Sequence, residues 1–359
     1  MWIAFHKIKC GLNREKTMRK IIALLILFSL VDCQYFEKKN TSQETSSEII
    51  ADTISNKSTD SLKIRKYVTD RQGTQFKEEP NESSKNQGDI EYGYLLEIEG
   101  EQGDYYKVMN YETGNYAYVL KSKVGDLNQI SLIASDLDMV QYIAKNEEDG
   151  AEFLETPIVL DTLINIELID KSSYEKAKKS AVDFLLRDTL AIVKKNDVIT
   201  LQCLDSVVTF KDVEPNFDMD NQQVFKYEGQ IEFLNQFVIS GSYWEAYDYK
   251  FIDKKTGKEI SFSDFPYISP DKKHIICVYT NPYDSNSEIS LYTIDNELKV
   301  KQILLAGFKN WMAYNWKMEN AFWSNDGHFY IPINHRVKFW NEEGNYNENY
   351  QYIRIKIRK

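Results

Sequence analysis

FPYISPDKKHII, residues 265–276, is the stretch from which the fold is read. An apolar and aromatic run, Phe265 to Ile268, meets Ser269-Pro270-Asp271 and two lysines, and a second apolar run begins at Ile275. An Asp at such a point bonds its own backbone and fixes a tight turn between two short strands. The pattern returns at residues 321–331 as AFWSNDGHFYI. Ser269 and Ser324 are 55 residues apart, and so are Asp271 and Asp326. Recurrence at a fixed spacing marks a repeat, here two copies of one strand–turn–strand unit. Asp271 and Asp326 are its structural turn residues.

Working outward, residues 189–359 are β throughout. Ala191-Ile192-Val193 and Val198-Ile199-Thr200-Leu201 flank a Lys194-Lys195-Asn196-Asp197 turn, which predicts a hairpin. Val207–Phe210, Phe237–Ile239 and Tyr247–Ile252 predict further strands. Ile353 to Arg358 alternates isoleucine with cations, so isoleucines face a core while cations face solvent and guard an edge. The repeated turn resembles the Ser-Pro-Asp-Gly turn of β-propeller blades of the WD-like and TolB-like kind. That resemblance implies a propeller-like domain, partial or degenerate, since 171 residues hold about four blades at most. The segment also resembles a group of uncharacterised bacterial envelope proteins that share a Lys-Thr-Gly turn, here Lys255-Thr256-Gly257, ahead of Ser-Pro-Asp. That likeness carries no activity with it.

Residues 63–126 predict a second β module. Tyr94–Ile98, Tyr105–Met109 and Tyr116–Val119 are short strands separated by Gly-containing turns, the pattern of a small barrel. They resemble a bacterial SH3-like domain. Gly73 to Pro80 follows its Gly-Leu-Asn-Val-Arg-Ser-x-Pro pattern loosely, and Gly93 matches its mid-domain glycine. Asp104-Tyr105-Tyr106-Lys107-Val108 matches its Gly-Trp-Tyr-Lys-Val strand, and Ala117-Tyr118-Val119 stands where it has Gly-Trp-Val. The resemblance implies docking on peptidoglycan or a partner peptide, with Tyr105, Tyr106 and Tyr118 as candidate ligand-binding residues.

Residues 127–188 form a mixed connector. Ser172-Ser173-Tyr174-Glu175 has the form of a capping box. Tyr174, Ala177, Ala181, Phe184 and Leu185 share one helical face, which predicts a helix over 173–187. Ile158 to Ile169 is a strand candidate.

The N-terminus supplies an address. Arg19 and Lys20 precede Ile21 to Val31, an apolar run whose one polar member is Ser29. It is too short to span a bilayer, which needs about 20 apolar residues. It has the form of a secretory signal. Leu30-Val31-Asp32-Cys33 resembles the lipobox of bacterial lipoproteins, with Asp32 where that family prefers a small residue, and this implies lipid on Cys33. Residues 1–33 are then a leader, of which 1–17 precede Met18, the working start. Residues 34–62 are a polar tether too poor in apolar residues to order itself. Loss of residues 1–32 removes six cations and two acids, which takes the net charge from −11 to −15. That acidity opposes binding to nucleic acid.

Four cysteines are few. Cys203 and Cys277 sit in apolar runs, as core residues or as a disulfide, both options being open. His274, His328 and His335 are turn or surface residues, and no metal or cofactor set is visible. Tyr243, Trp244, Tyr247, Trp311, Tyr314, Trp316 and Trp323 stack on sugars or fill β cores. The expectation is a mainly β protein, lipid-anchored in the cell envelope. It is non-enzymatic and acts as a binding or scaffold module whose partners are peptidoglycan or envelope proteins. The alternatives are a cell-wall-acting enzyme and an immunity-type protective protein. Replacing Cys33 by Ser is expected to move the protein from the membrane to the soluble fraction. Retention of the variant in the membrane fraction would refute the lipid anchor.

Overall fold

The computed structural model describes residues 64–144, 153–158, 162–214, 221–244, 246–315 and 317–358. The leader, Cys33 and the tether lie outside these residues. Alternating burial organises the first module. β1 (Ile64–Val68), β2 (Thr74–Lys77), β3 (Asn86–Ile90), β4 (Leu95–Gln102), β5 (Tyr105–Asn110), β6 (Asn115–Leu120) and β7 (Val124–Gly125) make one sheet in the order β3-β2-β6-β5-β4-β1-β7. Val68, Phe76, Leu96, Val108, Ala117 and Val119 form its core. The expected barrel is open in its hydrogen bonding, because β3 and β7 end the path and β2 meets β6 at one pair, Lys77↔Tyr118. No sheet among the described residues closes on itself.

Downstream come β8 (Met139–Ala144), β9 (Phe153–Pro157), β10 (Ile164–Ile169), helix α1 (Lys171–Lys178) and β11 (Ala181–Val182). The helix is shorter than the pattern predicts. Its N-cap is Asp170, whose side chain accepts from the Ser173 amide at 2.7 Å, in place of the expected Ser172. It stops because the chain beyond it is taken up by a strand. Ala181 and Val182 pair with Ser324 and Trp323, and the Ser180 hydroxyl meets that of Ser324 at 2.8 Å. Phe184 and Leu185 therefore leave the helical face and pack elsewhere, Phe184 on Phe233 and Leu185 in the main core.

The remaining strands are β12 (Val198–Gln202), β13 (Val207–Lys211), β14 (Gln223–Ile231), β15 (Gln236–Tyr243), β16 (Ala246–Asp253) and β17 (Glu259–Phe262). They are followed by β18 (Tyr267–Ile268), β19 (His274–Asn281), β20 (Asn286–Ile294), β21 (Val300–Phe308), β22 (Trp311–Ala313), β23 (Phe322–Ser324), β24 (Phe329–His335) and β25 (Gln351–Ile357). One antiparallel sheet runs β14-β15-β16-β17, and a second runs β18-β19-β20-β21-β8-β9. A third runs β10-β25-β24-β23-β11, with β22 on β24. The mainly β fold expected from the sequence is the fold observed.

Period-two alternation puts each sheet between two environments. In the β14–β17 sheet, Val238 and Phe251 enter the main core while their neighbours Ile239 and Ile252 face the β12–β13 hairpin. The main core also takes Ile275, Leu291, Trp323, Phe329 and Ile353 from the other two sheets. β25 is not an edge. It lies between β24 and β10, and Arg354 is held by Glu167 at 2.8 Å and 2.5 Å. Arg354 of the last strand thus serves pairing within a sheet, while Lys356 is exposed.

The first module meets this region through β4's approach and the 3-10 turn at Arg336–Lys338. Gly93 has φ +85, and a Cβ there would lie 2.8 Å from His335 Cε1, so both conformation and space require glycine. Gln351 accepts from the Leu132 amide at 2.6 Å and donates to the Leu132 carbonyl at 2.9 Å.

The two Asp turns are equivalent strand–turn–strand units, differing by one residue in the loop. Ser269 donates its amide to the His274 carbonyl at 2.9 Å, and Ser324 does so to His328 at 2.9 Å. Lys272 and Gly327 both take left-handed backbone, at φ 59 and 80. Asp271 accepts from the Lys273 amide at 3.2 Å and Asp326 from the His328 amide at 3.0 Å. Asp326 also accepts from the Tyr330 hydroxyl at 2.7 Å, and the Trp323 indole donates to the Tyr267 carbonyl at 2.9 Å, which holds the two units side by side. Asp271→Ala and Asp326→Ala are each expected to cost about 0.5–1.5 kcal/mol in urea unfolding, with Asp326 the larger. A cost at one site and none at the other would contradict their equivalence.

Candidate binding site

The concave site of the C-terminal region is built by a strand whose outer edge is left open. Asn196 and Asp197 both adopt left-handed backbone, at φ 49 and 62, and form a two-residue turn between Lys195 and Val198. The sequence predicts a longer hairpin there, with residues 191–193 as its first strand. In the structure pairing ends at Lys195 and Val198, which exchange bonds of 2.9 Å and 3.0 Å. Upstream of that turn the chain is held by a different strand. Leu186 and Gln230 exchange backbone hydrogen bonds at 2.9 Å and 3.0 Å. The Asp188 carboxylate accepts from the Tyr227 hydroxyl at 2.9 Å and from the Gln230 amide at 2.5 Å. Ile192 packs against the cluster under the hairpin. The chain is thereby tied to β14 at Leu186 and Asp188, and Ala191, Ile192 and Val193 line the space beside β12 without pairing with it.

β12 therefore pairs on one side with β13 and has a groove of about 580 Å³ on the other. Asp188, Ile192, Val198, Thr200, Gln202 and Phe237 line it. Backbone phase follows from the two ends of the hairpin. The Cys203 amide donates to Ser206 at 2.9 Å and the Asp212 amide donates to Asp197 at 2.8 Å. Residues 199 and 201 thus turn their backbone groups to β13, and residues 198, 200 and 202 turn theirs outward. Lys195 uses those of Val198. The N–H and C=O of Thr200 and Gln202 have no partner among the described residues. Val193, in the lining, is exposed, and in the neighbouring stretches of chain Leu190 is 89% exposed and Leu204, just beyond β12, 78%.

Of the tyrosines expected to bind ligand, the structure brings Tyr105 and Tyr118 onto one face and sets Tyr106 apart. On β5 and β6, Tyr105 and Tyr118 share one face while Tyr106 points to the other, beside the module's core. Tyr105 is buried, and Tyr106 and Tyr118 are half-buried. No local pattern marks the groove, because its open edge arises where Leu186 and Asp188 meet β14, which is distant in the chain.

A second polar centre lies in the interior. Asp264 is 5% exposed and accepts from the Tyr247 hydroxyl at 2.7 Å, from the Phe265 amide at 2.6 Å and from the Asn315 amide. Asn315 also donates to the Val278 carbonyl, so strands of separate sheets meet at this carboxyl. Burial pushes Asp264 up to about 7 against these three donors. His335, expected at a turn or on the surface, is 5% exposed, with its ring edge-on to Tyr92. Burial, with Arg336 adding to it, pulls His335 down to about 4. Cys277 is fully buried and Cys203 lies in a separate cluster, both as free thiols, and burial pushes both up. Trp311, Tyr314 and Trp323 fill cores, while Trp316 lies outside the described residues. No cluster of three potential metal ligands occurs among the described residues, and no helix there is long and apolar enough to cross a membrane. Compared with family models, with curated proteins and with solved structures, the chain finds no match.

The two shifted groups act on stability with opposite signs. Asp264 is protonated more readily in the folded than in the unfolded chain, so its contribution falls as pH rises from about 4 to about 7. His335 is protonated more readily in the unfolded chain, so its contribution falls as pH drops from about 6.5 to about 4. Between pH 4.5 and 6.5 the two slopes oppose each other. Asp264→Asn should unmask stability that rises with pH in this window, by at most about 1.4 kcal/mol per pH unit. His335→Gln should unmask the reverse. Equal slopes in both variants, read from urea midpoints, would contradict these assignments.

Proposed function

We propose that the protein is a non-enzymatic, lipid-anchored binding protein of the bacterial envelope. In this reading its N-terminal module is SH3-like and docks on peptidoglycan or a partner peptide. The C-terminal region is propeller-like and holds another protein. The observation that carries the binding role is the open edge of β12 beside a groove lined by the apolar Ala191, Ile192, Val193, Val198 and Phe237, with Val193 exposed. Apolar patches of this kind on an otherwise acidic, polar chain mark interaction surfaces. The groove holds a carboxylate and an ammonium, Asp188 and Lys195, and no nucleophile paired with a base, which favours recognition over catalysis.

The propeller-like reading draws support from the four-stranded antiparallel sheet β14 to β17 and from consecutive antiparallel runs within the two six-stranded sheets, β18 to β21 and β23-β24-β25-β10. In the last of these the outer strand comes from the near end of the region, as when a ring of blades is fastened by its two ends. The SH3-like reading draws support from short strands around a small apolar core and from the glycine requirement at Gly93.

Hydrogen exchange on the whole protein tests both halves. Purified peptidoglycan is expected to protect residues 105–120, and Tyr118→Ala should weaken retention at least tenfold with little change in stability. Envelope extract is expected to protect residues 186–207. No protection at either place in either mixture would overturn the binding role.

A further inference from the structure

We infer that the groove beside β12 takes up an extended, cationic–apolar segment of another protein as an added antiparallel strand. This inference names the partner class for the site proposed above and rests on that reading. Three observations carry it. The outward N–H and C=O groups of Thr200 and Gln202 have no partner among the described residues. Two residues of this phase offer four hydrogen bonds, which is how a peptide strand gains affinity on a sheet edge. Natural sheets normally blunt such an edge with a covering segment, a bulge or a proline. Here the segment that would cover it is tied to β14 at Leu186 and Asp188, and its residues Ala191 to Val193 line the groove without bonding the edge.

The space beside the edge matches that occupant. A strand advances about 3.3 Å per residue, so the length of β12 admits a segment of about four or five residues. The lining includes the apolar Ala191, Ile192, Val193, Val198 and Phe237, and Val193 is exposed there. Side chains of an added strand alternate between faces, so apolar residues at every second position meet this lining.

Charge sets the rest of the partner's chemistry. Asp197 and Asp205 flank the two ends of β12, and neither carboxylate has an ion-pair partner among the described residues. Lys194 is neutralised by Asp212, so the groove sets Lys195 and Lys254, whose ammonium reaches the lining residue Gln230, against Asp188 in the lining and Asp197 and Asp205 at the ends of β12. The whole chain carries −11. A cationic segment is drawn to this field, and an acidic one, a second copy of this chain included, is repelled.

The test uses the whole protein and synthetic ten-residue peptides. One alternates Val with Lys, one alternates Val with Glu, and one is the Val–Lys peptide N-methylated at alternate residues. Fluorescence anisotropy should show binding of the Val–Lys peptide, at least tenfold weaker binding of the Val–Glu peptide, and loss of binding on N-methylation. Thr200→Pro removes a donor that the fold does not use and should weaken binding at least tenfold with an unchanged thermal melt. Equal binding of the N-methylated peptide, or no effect of Thr200→Pro, overturns strand addition. Absence of peptide binding while envelope extract still protects residues 186–207 overturns this inference and leaves the binding role standing. Concentration-dependent dimerisation that Thr200→Pro abolishes makes the occupant a second copy and overturns the partner assignment.

Discussion

Leu186 and Gln230 exchange two backbone hydrogen bonds, at 2.9 Å and 3.0 Å, and this bridge decides what becomes of the chain between α1 and β12. Without it, residues 191–195 have the composition to extend the turn at Asn196-Asp197 into a full hairpin. With it, Asp188 is delivered to Tyr227 and Gln230, and the residues that follow do not pair with β12 before Lys195. A short run of backbone groups is left unpaired next to an apolar groove. An edge of that kind is a hazard for a folded protein, so its presence here asks for an occupant. The bridge is itself placed by β14, whose outward face carries Phe225 and Tyr227 onto the hairpin and whose end, Ile231, enters the main core.

Much of the local structure was legible in the sequence. The Ser-x-Asp turns are set by residues three to five apart, and they fold as their spacing predicts, left-handed residue included. The β character of residues 189–359 and of the first module followed from alternation and turn residues. The expectations of a leader and of lipid on Cys33 fall outside the described residues. What escaped were outcomes settled by distant partners. The predicted helix beyond Lys178 has the correct apolar spacing, yet β23 recruits Ala181 and Val182 into a sheet, and sheet pairing outweighs helical preference there. The last strand has the pattern of a guarded edge, yet β10, almost two hundred residues upstream, covers that edge and Glu167 takes Arg354.

The candidate site was less legible still. Tyr105, Tyr106 and Tyr118 were singled out because they stand in or beside aromatic positions of the SH3-like pattern. Strand register then splits them between two faces. The groove was invisible because an open edge is defined by what fails to pair, and no local signal marks an absence of pairing. His335 escaped for a related reason. Its burial depends on Gly93 and Tyr92, which the chain brings from the first module. Asp264 sits among aromatics in the sequence without any sign that Asn315 and Tyr247 converge on it.

The account turns on the open edge of β12, and amide exchange measured residue by residue reads that edge directly. In the free protein, the amides of Thr200 and Gln202 should exchange rapidly, while those of Leu201 and Cys203, bonded across to β13, should be protected by several orders of magnitude. Protection of Thr200 and Gln202 equal to that of their neighbours would mean that the edge is already occupied, and the groove would then be no binding site.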